Sequence, residues 1–488
     1  MRQEVLINVG VGEVRVAVVE DGRLQALSCT RLLGAEEEGG GSLIGDIVLG
    51  RVVRVLPAVQ AAFVEIGQER AGFLGAREAR SLAPDAAGEP AIGRLLREGD
   101  KVLVQIVKDP MGEKGARLTT AVSVPGRLCV LTPFQRGTGV SRRIEDEAER
   151  ARLTAIGEEL AAGVPEGGCI MRTAAAGAAA EELREDLLRL KREWAEIAAA
   201  SAAAKVPETL HRDLGPVERA LRDIVHEGTA RILIDDAQAA ERARAYCRRA
   251  MPGIEDRIAF FAGPGELFDD LEADIDGLIR PRVALPCGGW ITVEGTEALT
   301  AIDVNSGSFI HSSAIEDTGL LVNLEAAREI GRQLRLRGIG GLIVIDFIHM
   351  HEPENGGKVC EALAQSLSRD GVPVNISPVT PFGLVEVTRK KLRQPLVARW
   401  SEDCPACAGL GLVRKPETVA MDVLRRIESS ARAAPGKALR VHAAPEVVRW
   451  LEEEGANAAL SRKGIARVAF VAEAAFPRER FEVATVSV

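Results

Sequence analysis

Residues 295–307 read GTEALTAIDVNSG and residues 340–350 read GGLIVIDFIHM. Each is an apolar run that reaches an aspartate, and the helical stretch LLVNLEAAREIGRQLRLRG (320–338), with Gly331 inside it, lies between them. Strand, helix and strand in succession form an α/β pattern. Side chains alternate along a strand, so Leu299, Ala301, Asp303 and Asn305 share one face. A carboxylate and a carboxamide therefore emerge side by side just before a Ser306-Gly307 turn, a pair suited to a divalent cation and a phosphate oxygen. In the second run Leu342 to Ile345 are continuously apolar, which predicts a strand buried on both faces. Asp346 ends that strand. An ionised carboxylate at the edge of a dry strand is costly unless it is paired or metal-bound. Two such aspartates suit a hard cation, because Mg²⁺ takes one or two protein carboxylates and fills its shell with water and substrate phosphate. Such an ion activates water and neutralises charge on a phosphodiester. The plainer alternative is that each aspartate only caps a turn after its strand.

Outward from this region the chain changes character several times. VLINVGVGEVRVAVVEDGRLQALSC (5–29) predicts three strands with a hairpin turn at Asp21-Gly22. A polar, Gly-rich joint, GAEEEGGGS (34–42), marks a boundary near residue 40. About five short strands follow up to Val124, which suggests a small closed barrel such as an OB-fold. Next come a strand, an amphipathic helix, another strand and an Ala-rich helix, in which Leu183, Leu187, Leu190, Trp194 and Ile197 fall at helical spacing. Helices alternate with strands from Gly215 to Ile279, and again, with very apolar strands, from Arg280 to about Trp400. The region after Leu410 has helix, strand, helix, strand character and no chemical motif. The fold class is multidomain, with α/β and α+β parts.

Composition narrows the function. At a typical ~150 residues per domain, 488 residues suggest roughly three modules. A hydrophobic content of 46% excludes a disordered polymer, and a net charge of -9 excludes a bulk-basic coat protein. Any polyanion must be met by local patches. No run of 18 uncharged apolar residues exists to span a membrane. Six of the eight cysteines are isolated, which is no disulfide framework and makes a reducing cytoplasm the natural compartment.

Three further motifs carry chemistry. CPAC (404–407) followed by Ala-Gly-Leu-Gly has a zinc-knuckle shape. Structural zinc takes four ligands. This chain supplies one pair, Cys404 and Cys407, so the favoured reading is a zinc ion shared between two copies. A redox pair is disfavoured, because such a motif opens a helix after a strand and this one sits in a Gly/Pro-rich linker. In the barrel, Phe63 and Phe73 occur in AAFVEIG and AGFLG. An OB-type surface stacks bases on aromatic rings and meets phosphates with cations, here Lys108, Lys114 and Arg117. Burial preference alone makes both phenylalanines core residues. Of the six histidines only His349 and His351 are close, a weak signal. No GxxxxGK[ST] phosphate loop is present.

GDIVLGRVVRVLPAVQAAFVEIGQERAGFL, RTAAAG, ALTAIDVNSG, RQLRLRGIGGLIVIDFIHM, FGLVEVTRKKL and DCPACAGLG, in this order and spacing, resemble the ribonuclease E/G family across essentially the whole chain. The layout is ribonuclease G-like, without a long C-terminal degradosome scaffold. The resemblance implies an RNase H-like domain split between 1–40 and 216–279 and an S1-type OB-fold barrel at 41–124. It further implies a 5′-sensor at 125–215, a DNase I-like catalytic region at 280–400, a zinc link at 401–411 and a small C-terminal domain at 412–488. Asp303 and Asp346 match Mg²⁺ ligands, and Asn305 matches the amide that orients the scissile phosphate. Cys404 and Cys407 match the cysteines of an intersubunit zinc. Phe63, Phe73 and Lys114 match positions that grip single-stranded RNA. Arg172 and Thr173, with Val130 beside them, match the pocket for a 5′-monophosphate.

The implied activity is Mg²⁺-dependent endoribonuclease hydrolysis of single-stranded, A/U-rich RNA, stimulated by a 5′-monophosphate, in rRNA processing and mRNA turnover. The implied assembly is a zinc-linked homodimer or tetramer in the cytoplasm. Two departures stand out: His349 where the family often has Asp, and Ala175 where a glycine usually follows Arg-Thr-Ala, a change expected to alter the phosphate-pocket loop. Two rival readings are an RNA-gripping scaffold that has lost cleavage and a metal-free ribonuclease built on His349 and His351.

Overall fold

The computed structural model describes residues 2–32, 43–83, 90–110, 114–161, 167–307, 315–368, 372–391, 394–407, 409–465 and 468–486. The joint at 34–42 and His311 lie outside them. The chain forms two compact units, 1–396 and 397–488. Among the described residues no helix is long and apolar enough to cross a membrane.

In the first unit the chain's opening strands share a sheet with a much later segment. Gln3–Val9 pairs antiparallel with Glu13–Glu20 and parallel with Thr229–Ile234. The five-stranded order is Ile258–Phe260, Thr229–Ile234, Gln3–Val9, Glu13–Glu20, Arg23–Arg31. Asp21 and Gly22 turn the hairpin with φ of 47° and 78°, the two positive values that a tight two-residue hairpin requires. Helix Ala237–Ala250 is capped by Asp236, whose side chain accepts from the Ala239 N–H, and it packs its alanines on this sheet.

The predicted barrel is a closed five-stranded sheet. Ile47–Leu56 pairs with both Ala61–Glu65 and Lys101–Lys108, and Gly72–Gly75 and Arg117–Thr119 complete the ring. A sixth strand, Glu208–His211, joins Ile47–Leu56 from outside the barrel segment. Ring closure needs close strand crossings. A Cβ on Gly50 would meet Val64 Cγ1 at 2.5 Å and the Glu65 carbonyl at 2.7 Å.

Beyond the barrel, Val124–Pro125, Cys129–Thr132, Gly168–Met171 and Gly137–Val140 form a four-stranded sheet. The Ala-rich run is a helix, Ala180–Ala203, with Leu183, Leu187, Leu190 and Ile197 buried and Trp194 half-buried. Its buried Asp186 accepts from the N–H groups of Leu128 and Cys129 at 2.9 and 3.0 Å and so ties the helix to the sheet.

The last sheet of the unit runs Arg282–Ala284, Trp290–Gly295, Leu299–Asn305, Gly341–Asp346, Leu384–Arg389, Val374–Ile376. Helices Ile315–Leu336 and Pro353–Ser368 carry the core that packs on it. They cross closely at Gly331, where a Cβ would lie 2.1 Å from Ser366 Oγ and 2.7 Å from Ser366 Cβ. The expectation that Leu342 to Ile345 are buried on both faces is corrected. Ile343 and Ile345 are buried, but Leu342 is 41% exposed and Val344 is half-buried. The helical core takes only one face of the strand, and the other stays open. The first sheet docks on helix Ile315–Leu336 through buried Glu329, which accepts from Arg23, Arg332 and Gln333. Arg332 also donates to the Leu24 carbonyl at 2.8 Å.

The second unit pairs Ala438–Ala443 in parallel with Val468–Ala472 and antiparallel with Phe481–Val486. Helices Pro416–Ala433, Pro445–Glu453 and Ala456–Arg462 supply the rest of its core.

Gly331→Ala should test the helix crossing. Alanine gains about 1 kcal/mol of helix propensity. The clash with Ser366, an overpacking cost of about 1–3 kcal/mol, should outweigh it. A lower melting temperature for the first unit is the expected result.

Candidate active site

Asp303 and Asp346 are neighbours across the sheet. Leu299–Asn305 and Gly341–Asp346 run parallel in a register that pairs the two aspartates. Thr292 flanks Asp303 on one side and Leu384 flanks Asp346 on the other. Adjacent strands lie about 4.8 Å apart, so the carboxylates leave neighbouring backbones on one face. Both are exposed, whereas Ile302, Val304, Ile343 and Ile345 fill the core on the opposite face. Exposure removes the desolvation cost expected for Asp346 at the end of a dry strand. Asn305 donates from Nδ2 to Asp303 Oδ2 at 2.6 Å, which fixes amide and carboxylate together. Paired, exposed carboxylates are hard oxygen donors that fit Mg²⁺, which needs only one or two from the protein. Among the described residues no group of three or more His, Cys, Asp and Glu side chains is placed to hold an ion.

Two residues that the sequence reading missed hold the segment after Asp346. Asn323 is fully buried on helix Ile315–Leu336. Its Nδ2 donates to the Ile348 carbonyl at 2.8 Å and its Oδ1 accepts from the Ile348 N–H at 3.0 Å. A carboxamide inside the apolar run LLVNLEAA was the available signal. Glu316 accepts from the N–H groups of His351 and Glu352 and from Asn355 Nδ2. These bonds, the His351 N–H foremost, hold its carboxyl below the ordinary range. The His349 and His351 rings meet edge to face at 4.9 Å.

On the barrel, register assembles a transverse row: Arg54, Phe63, Phe73, Arg117 and Lys108. The phenylalanine rings meet edge to face at 6.0 Å. Burial preference put both in the core, and that expectation is corrected. Each is half-buried and outside the barrel's core cluster, because Ala62, Val64, Gly72 and Leu74 alternate with them and take the inner face. Arg54, Lys108, Lys114 and Arg117 are exposed. Arg54 is an addition the sequence reading did not make; only the strand register brings it beside Phe63.

Arg172 is held from two sides. It donates from Nη1 to the Gly126 carbonyl at 2.6 Å and from Nη2 to Asp223 Oδ1 at 2.7 Å. Burial pushes the Asp223 carboxyl up, but hydrogen bonds and charge from Arg222 and Arg172 outweigh it and leave it below the ordinary range. Gly126 itself packs where a Cβ would meet Asp186 Oδ2 at 2.5 Å. Thr173 Oγ1 lies 2.9 Å from Ser141 Oγ. Val130 is half-buried and pairs with Ile170, two residues before Arg172. Ala175 is fully buried, in a 3-10 turn (Thr173–Ala175) that any residue can adopt, and the positive φ of this loop falls at Gly177. Gly177 donates its N–H to Glu149 at 2.8 Å.

A family profile described as the ribonuclease E/G family matches residues 123–392. The chain is 36% identical over 467 residues to a protein named ribonuclease G from Salmonella typhimurium, covering 94% of each. It is 36% identical to ribonuclease G of Escherichia coli K12, covering 93% of each. The chain belongs to the ribonuclease E/G family. It is also 39% identical to ribonuclease E of Escherichia coli K12 over 86% of this chain, but over only 40% of that longer one.

A second profile, the thioredoxin-like domain of this family, matches residues 403–484. In this family member the Cys404–Cys407 pair lies in a turn ahead of the Pro416–Ala433 helix. The Gly411 N–H approaches Cys407 Sγ at 3.3 Å. The N–H groups of Ala406 and Cys407, with the Cys407 thiol, hold the Cys404 thiol below its usual range. That favours thiolate, the form in which a cysteine binds metal.

The Glu149 tether should be pH-sensitive. Its carboxyl is held down to about 2 by Arg152 and the Gly177 N–H. A depressed carboxylate stabilises above its unfolded value, about 4.3, and the effect fades as pH falls towards 2. Protection of the Gly177 amide from exchange, corrected for intrinsic rates, should fall over that interval, and Glu149→Ala should abolish the step.

Proposed function

We propose that this protein, an endoribonuclease by its family, hydrolyses single-stranded, A/U-rich RNA with Mg²⁺ bound by Asp303 and Asp346. The observation that carries the reading is the in-register pairing of these carboxylates, with Asn305 hydrogen-bonded to the first. Mg²⁺, when bound, neutralises phosphodiester charge and lowers the pKa of a water. Asn305 orients the scissile phosphate, and Glu316 and Asn323 keep the segment after Asp346 in place. In-line attack by water leaves a 5′-phosphate and a 3′-hydroxyl. The cation-flanked pair Phe63 and Phe73, with Lys108 and Lys114, grips the strand by stacking and charge. Arg172, steadied by Asp223, and Thr173, with Val130 beside them, receive a 5′-monophosphate and raise the rate by positioning.

The domain plan belongs to the same proposal. It comprises an RNase H-like domain from 1–40 and 216–279, an S1-type barrel at 41–124, a 5′-sensor at 125–215 and a DNase I-like region at 280–400. A zinc link at 401–411 and a small domain at 412–488 follow. Zinc shared through Cys404 and Cys407 joins protomers into a dimer or tetramer. The work is rRNA processing and mRNA turnover in the cytoplasm.

Asp303→Asn should cut cleavage by more than the ~10–100-fold that loss of an outer-shell metal partner costs. RNA binding should persist. The melting temperature should not fall, since a like-charge cross-strand pair is relieved. EDTA should abolish wild-type cutting; activity that survives it would sink the metal reading. Arg172→Ala should erase the rate advantage of 5′-monophosphate over 5′-hydroxyl RNA and leave 5′-hydroxyl cleavage within about twofold, because positioning is all it contributes.

A further inference from the structure

We propose that Phe382 is a base-stacking residue at the edge of the active site, holding a nucleobase that flanks the scissile phosphate. The proposal rests on the reading of Asp303 and Asp346 as the centre of RNA hydrolysis. Leu384, the first residue of its strand, pairs with Asp346. The turn just before it therefore rises from the same end of the sheet as the two carboxylates. Two Cα steps of 3.8 Å separate Phe382 from Leu384, and antiparallel partners lie about 4.5–5.5 Å apart. The Phe382 Cα is thus within roughly 13 Å of the Asp346 Cα, a reach that nucleotides beside the cleaved bond span.

The turn is well braced. Gly383 donates its N–H to the Thr380 carbonyl at 2.9 Å, and Thr380 donates to the Leu384 carbonyl at 2.8 Å. The Leu384 N–H also reaches Thr380 Oγ1 at 3.2 Å. Gly383 takes the left-handed conformation, φ +83°, and Pro381 fixes its own φ. On this turn Phe382 is 89% exposed, against 39% and 44% for the exposed Phe134 and Phe260. A polar residue would make the same turn. A large ring held in water beside an acidic, RNA-directed site presents a π-face that every base can stack on, whatever its sequence.

The test is cleavage of a 5′-monophosphorylated, single-site, single-stranded oligoribonucleotide with Mg²⁺ by the full chain. A series of substrates carries one abasic nucleotide at each position around the cut. Phe382→Ala should lower kcat/KM by about 5- to 150-fold, the span of one base–aromatic stack. Phe382→Trp should restore it and Phe382→Leu should not. One abasic position should cost the wild type a similar factor and cost Phe382→Ala nothing more. Being exposed, the ring can be truncated without unfolding, and an unchanged melting temperature checks that. A wild type that cuts while Phe382→Ala matches it, or losses that simply multiply, overturns the stacking role alone. A change in sedimentation without coupling to any abasic position does so too. A wild type that cuts no substrate overturns the hydrolase reading and this inference with it.

Discussion

Parallel pairing of Leu299–Asn305 with Gly341–Asp346 is the constraint on which the site depends. Register on these strands is pinned by Ile302, Val304, Ile343 and Ile345, which fill the core. A slip of one residue would exchange the two faces of a strand. It would drive an aspartate into that core and bring an isoleucine out, at a cost of several kcal/mol for the buried charge. The hydrophobic alternation therefore does more than stabilise a sheet. It holds two like charges side by side on the open face, an arrangement unfavourable by itself that a cation bound between them would relieve.

The parts around this pair repeat the same logic. Polar side chains that bond to backbone fix neighbouring segments: Asn323 on Ile348, Glu316 on His351 and Glu352, Asp186 on Leu128 and Cys129. The barrel turns two phenylalanines outward because smaller residues on the same strands close the ring. Arg172 is likewise not a loose cation. The Gly126 carbonyl and Asp223 settle its orientation, and Asp223 is in turn anchored by Arg222 at 3.0 Å.

Much of the secondary structure was legible from local pattern. The hairpin at Asp21-Gly22, the five barrel strands and the helix carrying Leu183 to Ile197 follow from turn chemistry and from periods of two and 3.6 residues. Burial was less legible. Residue type alone assigned Phe63 and Phe73 to the core, against the RNA-gripping role that the family resemblance implies, and its neighbours assigned Leu342 to a dry strand. Both assignments failed because exposure depends on which face a distant helix or strand covers. Asn323 was overlooked because nothing local says that a carboxamide in an apolar helix will meet the backbone of Ile348.

By itself the sequence determined the chemical inventory and its placement along the chain: two aspartates and an asparagine at strand ends, two aromatics on short strands, one Cys-x-x-Cys. These features are local, since alternation and turn residues act within a few positions. Tertiary structure alone decided which of them meet. The pairing of Asp303 with Asp346, the row from Arg54 to Lys108, and the sheet that joins residues 3–31 to 229–260 all depend on contacts far apart in sequence. No local preference specifies such contacts; packing of the whole core does.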